Sequence, residues 1–257
     1  MSSLKTSTTN SLFTAKDIAE PLASVTNEES SQLKKYFYED NFDVVGFHED
    51  GKITGFLDKN GELFTEDISD KVMRFEIQNL ITSNTDLNDC LLMLEKHQHL
   101  FIIDKSHVNG IVTRSDRQKP AVRMMFFGVI TIFESKLASL IDLRYPSNSW
   151  ETLIGESRFI NAQFEYKKMV EKNLEVNLIN FTQICDKTDI VVNDPILLES
   201  LTGLSKKQAK KAFKQVQNLR DDLAHAQSLQ KWFEDKDILT LLDQLSIITD
   251  NIEKQFK

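Results

Sequence analysis

The stretch "NLRDDLAHAQS", Asn218 to Ser228, sets an arginine and a histidine five positions apart with two carboxylates between them. A guanidinium offers a planar fork of donors to a phosphate, and an imidazole gains or loses a proton near neutral pH. Together they suit chemistry that needs a cation and a proton carrier at one place, and the sequence shows no metal-ligand cluster.

The element that must carry these residues reads as one helix, "SKKQAKKAFKQVQNLRDDLAHAQSL". Ser205 and Gln208 fit a capping box. Ala209, Ala212, Phe213, Val216, Leu219 and Leu223 fall on one side as the core face. From Ser205 to Arg220 there are five lysines, one arginine and no acid. Lys207, Lys210 and Lys214 lie in a basic stripe leading to His225, as a polyanion-binding surface would. On one straight helix Arg220 and His225 stand about 140° apart. A helix packed against its twofold mate brings one chain's arginine beside the other's histidine, so a homodimer with a composite active site is expected. The bland alternative makes Arg220 an interface salt bridge to Asp221 or Glu134 and His225 an ordinary polar residue.

"RDDLAH" resembles the Rx4–6H signature of HEPN domains. The likeness covers about residues 120–250 and includes the long opening helix "FFGVITIFESKLASLI" with an inward acid at Glu134. It implies an all-helical domain that often dimerises and is often a metal-independent endoribonuclease. In such RNA cleavage the adjacent 2′-OH is the nucleophile, so the resemblance makes His225 the general base or acid and Arg220 the group that neutralises the phosphorane-like transition state. Lys207, Lys210 and Lys214 then hold the flanking RNA backbone, with salt-dependent and weakly sequence-selective binding, and the products are a 2′,3′-cyclic phosphate and a 5′-OH. The position after the arginine is often Asn in such domains, whereas here it is Asp221, which is mildly repulsive to a phosphate but is expected to hold His225 one turn away and raise its pKa.

The first half has a different grammar. "FDVVGFHEDGKITGFLDKNGE" reads as a β-hairpin turning at Glu49-Asp50-Gly51, after a helical "ESSQLKKYFYEDN". About fifty-five residues later the pattern returns: a helix "TDLNDCLLMLEKHQ" from near Asp86, then the strands of "HLFIIDKSHVNGIVT" and a helix start at "RSDRQ". The unit ends in "GIVTRSD", which resembles the nucleotide-binding signature of CBS domains. That resemblance implies an adenosine-type ligand in the cleft between two repeats, with Thr113 on a phosphate, Asp116 on the ribose hydroxyls, and Gly110 and Arg114 completing the site. In the first repeat Asp58 and Gly61 stand at the hydroxyl and carboxylate positions, so that half-site is expected to be empty. The alternative is a pair that only dimerises, with Thr113 as a helix cap. For His97 and His99 two places are open, lining that cleft or, as is commoner for loop-edge histidines, lying at the surface.

The expected fold class is α+β: a flexible N-terminus (1–10), a tandem CBS pair of β-α-β units (11–118) and an all-α HEPN-like bundle (119–257). The 257 residues carry 40% hydrophobic and 27% charged side chains and a net charge of −8, an ordinary soluble composition that disfavours indiscriminate nucleic-acid binding. Cys90 and Cys185 have no partner spacing, which fits a reducing compartment, and a cytoplasmic location is expected. The opening stretch has no apolar core of a signal peptide, and "MMFFGVITIF" (124–133) is too short to span a bilayer, so no membrane is expected. The function expected is an endoribonuclease regulated by an adenine nucleotide (AMP, ADP or ATP) and needing no other cofactor. Its partners are RNA and a second copy, with a tetramer left open, and its role lies in stress response or antiviral defence. The rival is a non-catalytic module that senses a nucleotide, dimerises and docks RNA or protein.

Overall fold

Two hairpins organise the first half of the chain, and their turns explain why. In chain order the elements are β1 (Glu20–Pro21), β2 (Ser24–Val25), β3 (Val44–Glu49), β4 (Lys52–Asp58), β5 (Leu80–Thr82), α1 (Leu87–Lys96), β6 (His99–Asp104) and β7 (His107–Thr113). At the first turn Asp50 and Gly51 both have positive φ, 48° and 77°, the conformation that joins two twisted antiparallel strands with two residues. The computed structural model describes residues 12–61, 67–172, 174–235 and 237–256, so the segment 1–10 read as a flexible N-terminus lies outside the described residues. It is a mixed α+β structure, with a seven-stranded sheet followed by a helical C-terminal region. The chain divides into two compact units, the first ending at Val122 and the second beginning at Arg123.

The first unit is internally symmetric. Its sheet order is β2-β3-β4-β7-β6-β5, with β1 paired to β7 beside that path. β2 and β3 run parallel, as do β5 and β6, and the hairpins β3–β4 and β6–β7 meet antiparallel at Ile53 and Val108. Val44 and His99 open matching strands 55 positions apart. The bulge between Phe47 and His48 recurs between Ile102 and Ile103, again 55 positions on. Each repeat is therefore one strand–helix–hairpin unit. The seam between them is filled by Phe56, Phe101, Val44, Leu22 and Val108.

The two repeats differ in their helices. In the second, Asp86 caps α1 by accepting from the Asn88 N–H at 2.8 Å, and Leu87, Cys90, Leu91 and Leu94 form its buried row. In the first, "ESSQLKKYFYEDN" yields only a 3-10 turn at Ser30–Gln32 and a π turn at Lys35–Glu39. There Phe37 enters the core, while Tyr36 stacks on Phe42 with centroids 5.7 Å apart.

Among the described residues the regular elements of the second unit are helices: α2 (Pro120–Arg144, whose first turn belongs to the first unit), α3 (Glu156–Val170), α4 (Ile184–Asn193), α5 (Pro195–Thr202), α6 (Lys206–Ala224), α7 (Gln230–Glu234) and α8 (Ile238–Lys254). α2 buries the row Phe126, Ile130, Phe133, Leu137 and Ile141, with Phe133 stacked on Phe213 of α6 and Phe126 tilted against Phe233 of α7. The ten-residue apolar run that is too short for a membrane belongs to this 25-residue helix, which by length and composition alone is long and apolar enough to cross one. "SWETLIGESRFINAQFEYKKMVEKN" and "LEVNLINFTQICDK" are each broken rather than continuous. Gly155 takes an extended conformation before α3, and the Gln183 N–H donates to Asp186 to start α4 afresh after a 3-10 turn at Leu178–Phe181.

The glycines give a test of opposite signs. A Cβ on Gly55 would stand 2.4 Å from Val72 Cγ1 and 2.6 Å from the Met73 carbonyl oxygen, whereas one on Gly128 in α2 meets nothing within 4 Å. Gly55→Ala is expected to destabilise the first unit by about 1–3 kcal/mol. Gly128→Ala is expected to stabilise the second by up to about 1 kcal/mol through helix propensity. Urea denaturation followed by circular dichroism checks both.

Candidate functional site

The strand end of the second repeat is closed by a single carboxylate. Asp116 is buried, at 7% exposure, and it accepts from the Thr113 backbone N–H at 2.6 Å and the Thr113 hydroxyl at 2.9 Å. Its other oxygen pairs with Lys119 Nζ at 2.8 Å. Lys119 also pairs with Glu20 and donates to the Ile18 carbonyl at 2.6 Å. Burial works against the lysine's charge, but the bonds to Asp116 and Glu20 outweigh it and its pKa is raised.

This cluster forms one wall of a cleft of about 720 Å³ in the first unit. Residues 20–23 reach it because β1 pairs with β7 and the Gly46 N–H then donates to the Ala23 carbonyl, so the chain crosses from one repeat to the other. Asn41–Val44 come from the first repeat, while Gln98, His99, Ile111 and Thr113–Asp116 come from the second. Of the residues assigned to nucleotide binding, Thr113, Arg114 and Asp116 line this cleft. Their contacts differ from the expected ones. The Thr113 hydroxyl donates its hydrogen bond to Asp116. The Arg114 guanidinium donates to the Leu94 and Glu95 carbonyls at the end of α1, at 3.0 and 3.1 Å. Gly110 does not line the cleft. It faces Pro21 in the β1–β7 register, and a Cβ there would stand 3.3 Å from the Glu20 carbonyl oxygen. In the first repeat the Asp58 carboxylate accepts from the Asn60 N–H at 2.8 Å, and the Gly61 N–H closes the turn onto the Asp58 carbonyl.

Glu20, Asp43 and Phe42 also line the cleft and are not marked by sequence pattern. His99 takes the cleft-lining place that the sequence offered it beside a surface one, as a half-buried imidazole edge-on to Phe56 and Phe101. Glu20 arrives through the β1 crossover, and Phe42 and Asp43 come from the loop just before β3, neither of which leaves a periodic signal.

The second candidate site lies in the helical unit. α6 ends at Ala224, five residues short of the expected end, and its cause is tertiary. Arg123 donates to the carbonyls of Asp222 and Leu223 at 3.1 Å and of Gln227 at 2.7 Å, satisfying the orphan acceptors of the helix end. Ala226 then turns left-handed, with φ at 52°. Trp232 fixes the same corner, its indole N–H donating to Asp222 at 2.8 Å. His225 is therefore the C-cap, and the 140° estimate for a straight helix does not apply to it.

Arg220 and His225 are both exposed. Arg220 pairs with Asp221 at 3.2 Å, so that carboxylate serves the arginine and not, as expected, the histidine. Glu134 faces inward and pairs with the buried Lys187 at 2.9 Å. Along α6, Lys207 is exposed, while Lys210 and Lys214 border a smaller cleft of about 270 Å³ with Arg158. Arg158 is itself held by Asp186 and Asp189 at 2.9 and 3.0 Å. Among the described residues no group of three or more His, Cys, Asp and Glu side chains is placed to hold a metal ion.

No family model and no curated protein matches the chain. Among solved structures it is similar to Hypoxic Response Protein I, determined with two coordinated zinc ions, at 18% identity and a TM-score of 0.33 over 40% of this chain and 95% of that one. It is also similar to an uncharacterized conserved protein from Pyrococcus horikoshii, at 24% identity and a TM-score of 0.29 over 41% of this chain and 86% of that one.

Burial holds the His99 imidazole below the usual histidine value of 6.5, with Asp58 and Asp43 pulling it up and His97 pushing it down. A histidine harder to protonate when folded contributes stability above its unfolded pKa and loses it as pH falls toward the folded value. The denaturation midpoint is therefore expected to drop between pH 7 and pH 5. His99→Phe, which keeps a ring against Phe56 and Phe101, is expected to flatten that drop in a thermal melt series.

Proposed function

We propose that this chain is a metal-independent endoribonuclease with a regulatory ligand site. In this reading the first unit is a tandem CBS pair and the second a HEPN-like domain. The observation that carries it is the corner at the end of α6. Arg220 and His225 are solvent-facing on a segment that Arg123 and Trp232 hold in place, and exposed lysines run along the same helix toward it. A homodimer completes the site by setting Arg220 of one protomer beside the partner subunit's His225. His225 takes the 2′-OH proton as the 2′-oxygen attacks phosphorus, Arg220 neutralises the developing charge, and the 5′-oxygen leaves as a hydroxyl after protonation. Lys207, Lys210 and Lys214 hold the flanking backbone.

The regulatory ligand occupies the cleft beside Thr113 and Asp116, an adenosine-type molecule whose ribose hydroxyls donate to Asp116. Matching halves, a shared seam and the "GIVTRSD" end of β7 support that placement. One contact favours a second reading, in which the helical unit binds RNA or protein without cutting: Asp221 neutralises Arg220 in the exposed pair.

The readings part in one experiment. The purified dimer is incubated with a mixed RNA pool in EDTA, with and without adenine nucleotides. Cleavage ending in cyclic phosphate is expected, reduced about 100-fold or more in His225→Ala and in Arg220→Ala. Mixing those two variants is expected to restore about a quarter of the activity, because half the random dimers then hold one intact composite site of two. RNA retention without cleavage under every ligand establishes the binding module instead.

A further inference from the structure

From the donors and charges around the cleft, we infer that it selects a nucleoside-type ligand whose 5′ end is neutral or cationic, and discriminates against a polyphosphate. This rests on the reading of the cleft as the regulatory site and specifies what enters it.

A phosphate needs donors, preferably charged ones. The strand end that would supply them has turned its donors inward, since the Thr113 N–H and hydroxyl both donate to Asp116. What the hydroxyl still offers is lone pairs, which accept. The neighbouring cation, Arg114, directs Nε and one Nη to the end of α1. Lys119 does not line the cleft, and its ammonium is divided between two residues that do, Glu20 and Asp116, and the Ile18 carbonyl. Against that shared charge stand three carboxylates at the lining, Glu20, Asp43 and Asp116. The remaining side-chain donors there, such as Ser115, Asn41 and Gln98, are neutral. A triphosphate brought into this field meets like charge, and each carboxylate lacking a partner adds repulsion that the partial burial of the site strengthens. Ribose hydroxyls, a 5′-hydroxyl or a 5′-ammonium meet acceptors instead.

The cleft's size agrees. At about 720 Å³ it has room for a nucleoside with space to spare. Phe42, partly exposed at the lining, and the His99 ring offer flat surfaces for a base.

The test is isothermal titration of the full chain with adenosine, 5′-amino-5′-deoxyadenosine, AMP and ATP, repeated on Asp43→Asn and Asp116→Asn. The expected order places the amine and adenosine at least about tenfold tighter than ATP. Asp43→Asn, which removes an exposed charge without touching a hydrogen bond of the Asp116 cluster, is expected to raise ATP affinity about three- to tenfold and to weaken the amine by a similar factor. ATP binding tightest, with affinity lost in Asp116→Asn, overturns the charge selectivity while leaving the cleft as the site. Failure of all four probes to bind, or binding equal in wild type and both variants, overturns the reading of the cleft itself. A thermal melt of each variant confirms that lost binding is not lost folding.

Discussion

A buried carboxylate must be surrounded by donors or it destabilises the fold by several kcal/mol, and Asp116 shows how much structure that requirement organises. The Thr113 N–H and hydroxyl fold back to it, ending β7 and starting the 3-10 turn Arg114–Gln118. The Lys119 ammonium comes to it from the residue before Pro120, tying in Glu20 and the Ile18 carbonyl from the chain's first described strand region. One ion thus links the segment that enters the first unit to the segment that leaves it. The acceptor-rich character of the neighbouring cleft follows from the same arrangement, because donors that stabilise the buried charge are not available to a ligand.

The duplication in the first unit was legible because a hairpin leaves local marks. Asp50-Gly51 permits the positive φ angles of a two-residue turn, and alternating apolar residues mark the strands on either side. The helix caps at Asp86 and Ser205 were legible for the same reason, each being settled within four residues. Strands of two residues such as β1 and β2 carry no period. They exist because residues 20–25 find free backbone partners on β7 and β3, a tertiary fact.

The sites show the same division. That Thr113 and Asp116 converge could be read from a motif, but the direction of Arg114 could not, since it depends on carbonyls about twenty positions earlier. The end of α6 was misread for a related reason. Its sequence continues to favour a helix through Ala226, and the competing influence is a guanidinium about a hundred residues away that draws on the last carbonyls. Asp221 had two candidate partners by sequence, Arg220 and His225, and pairs with the adjacent arginine. Choices between near-equal local partners are made by the packed structure, and a pattern of residue types does not record them.

The clamp on the α6 corner has an evolutionary corollary. The hydrogen bonds of Arg123 among the described residues go to main-chain oxygens of residues 222, 223 and 227, so they constrain the path of that turn and not the side chains it displays. The path of the bend therefore places no demand of its own on the side chains at positions 225–228, and any demand there comes from chemistry. Loss of the arginine would leave three main-chain acceptors of the bend without this donor whatever those side chains were. In an alignment, a constraint on the bend would show at position 123, separately from the solvent-facing residues that chemistry requires.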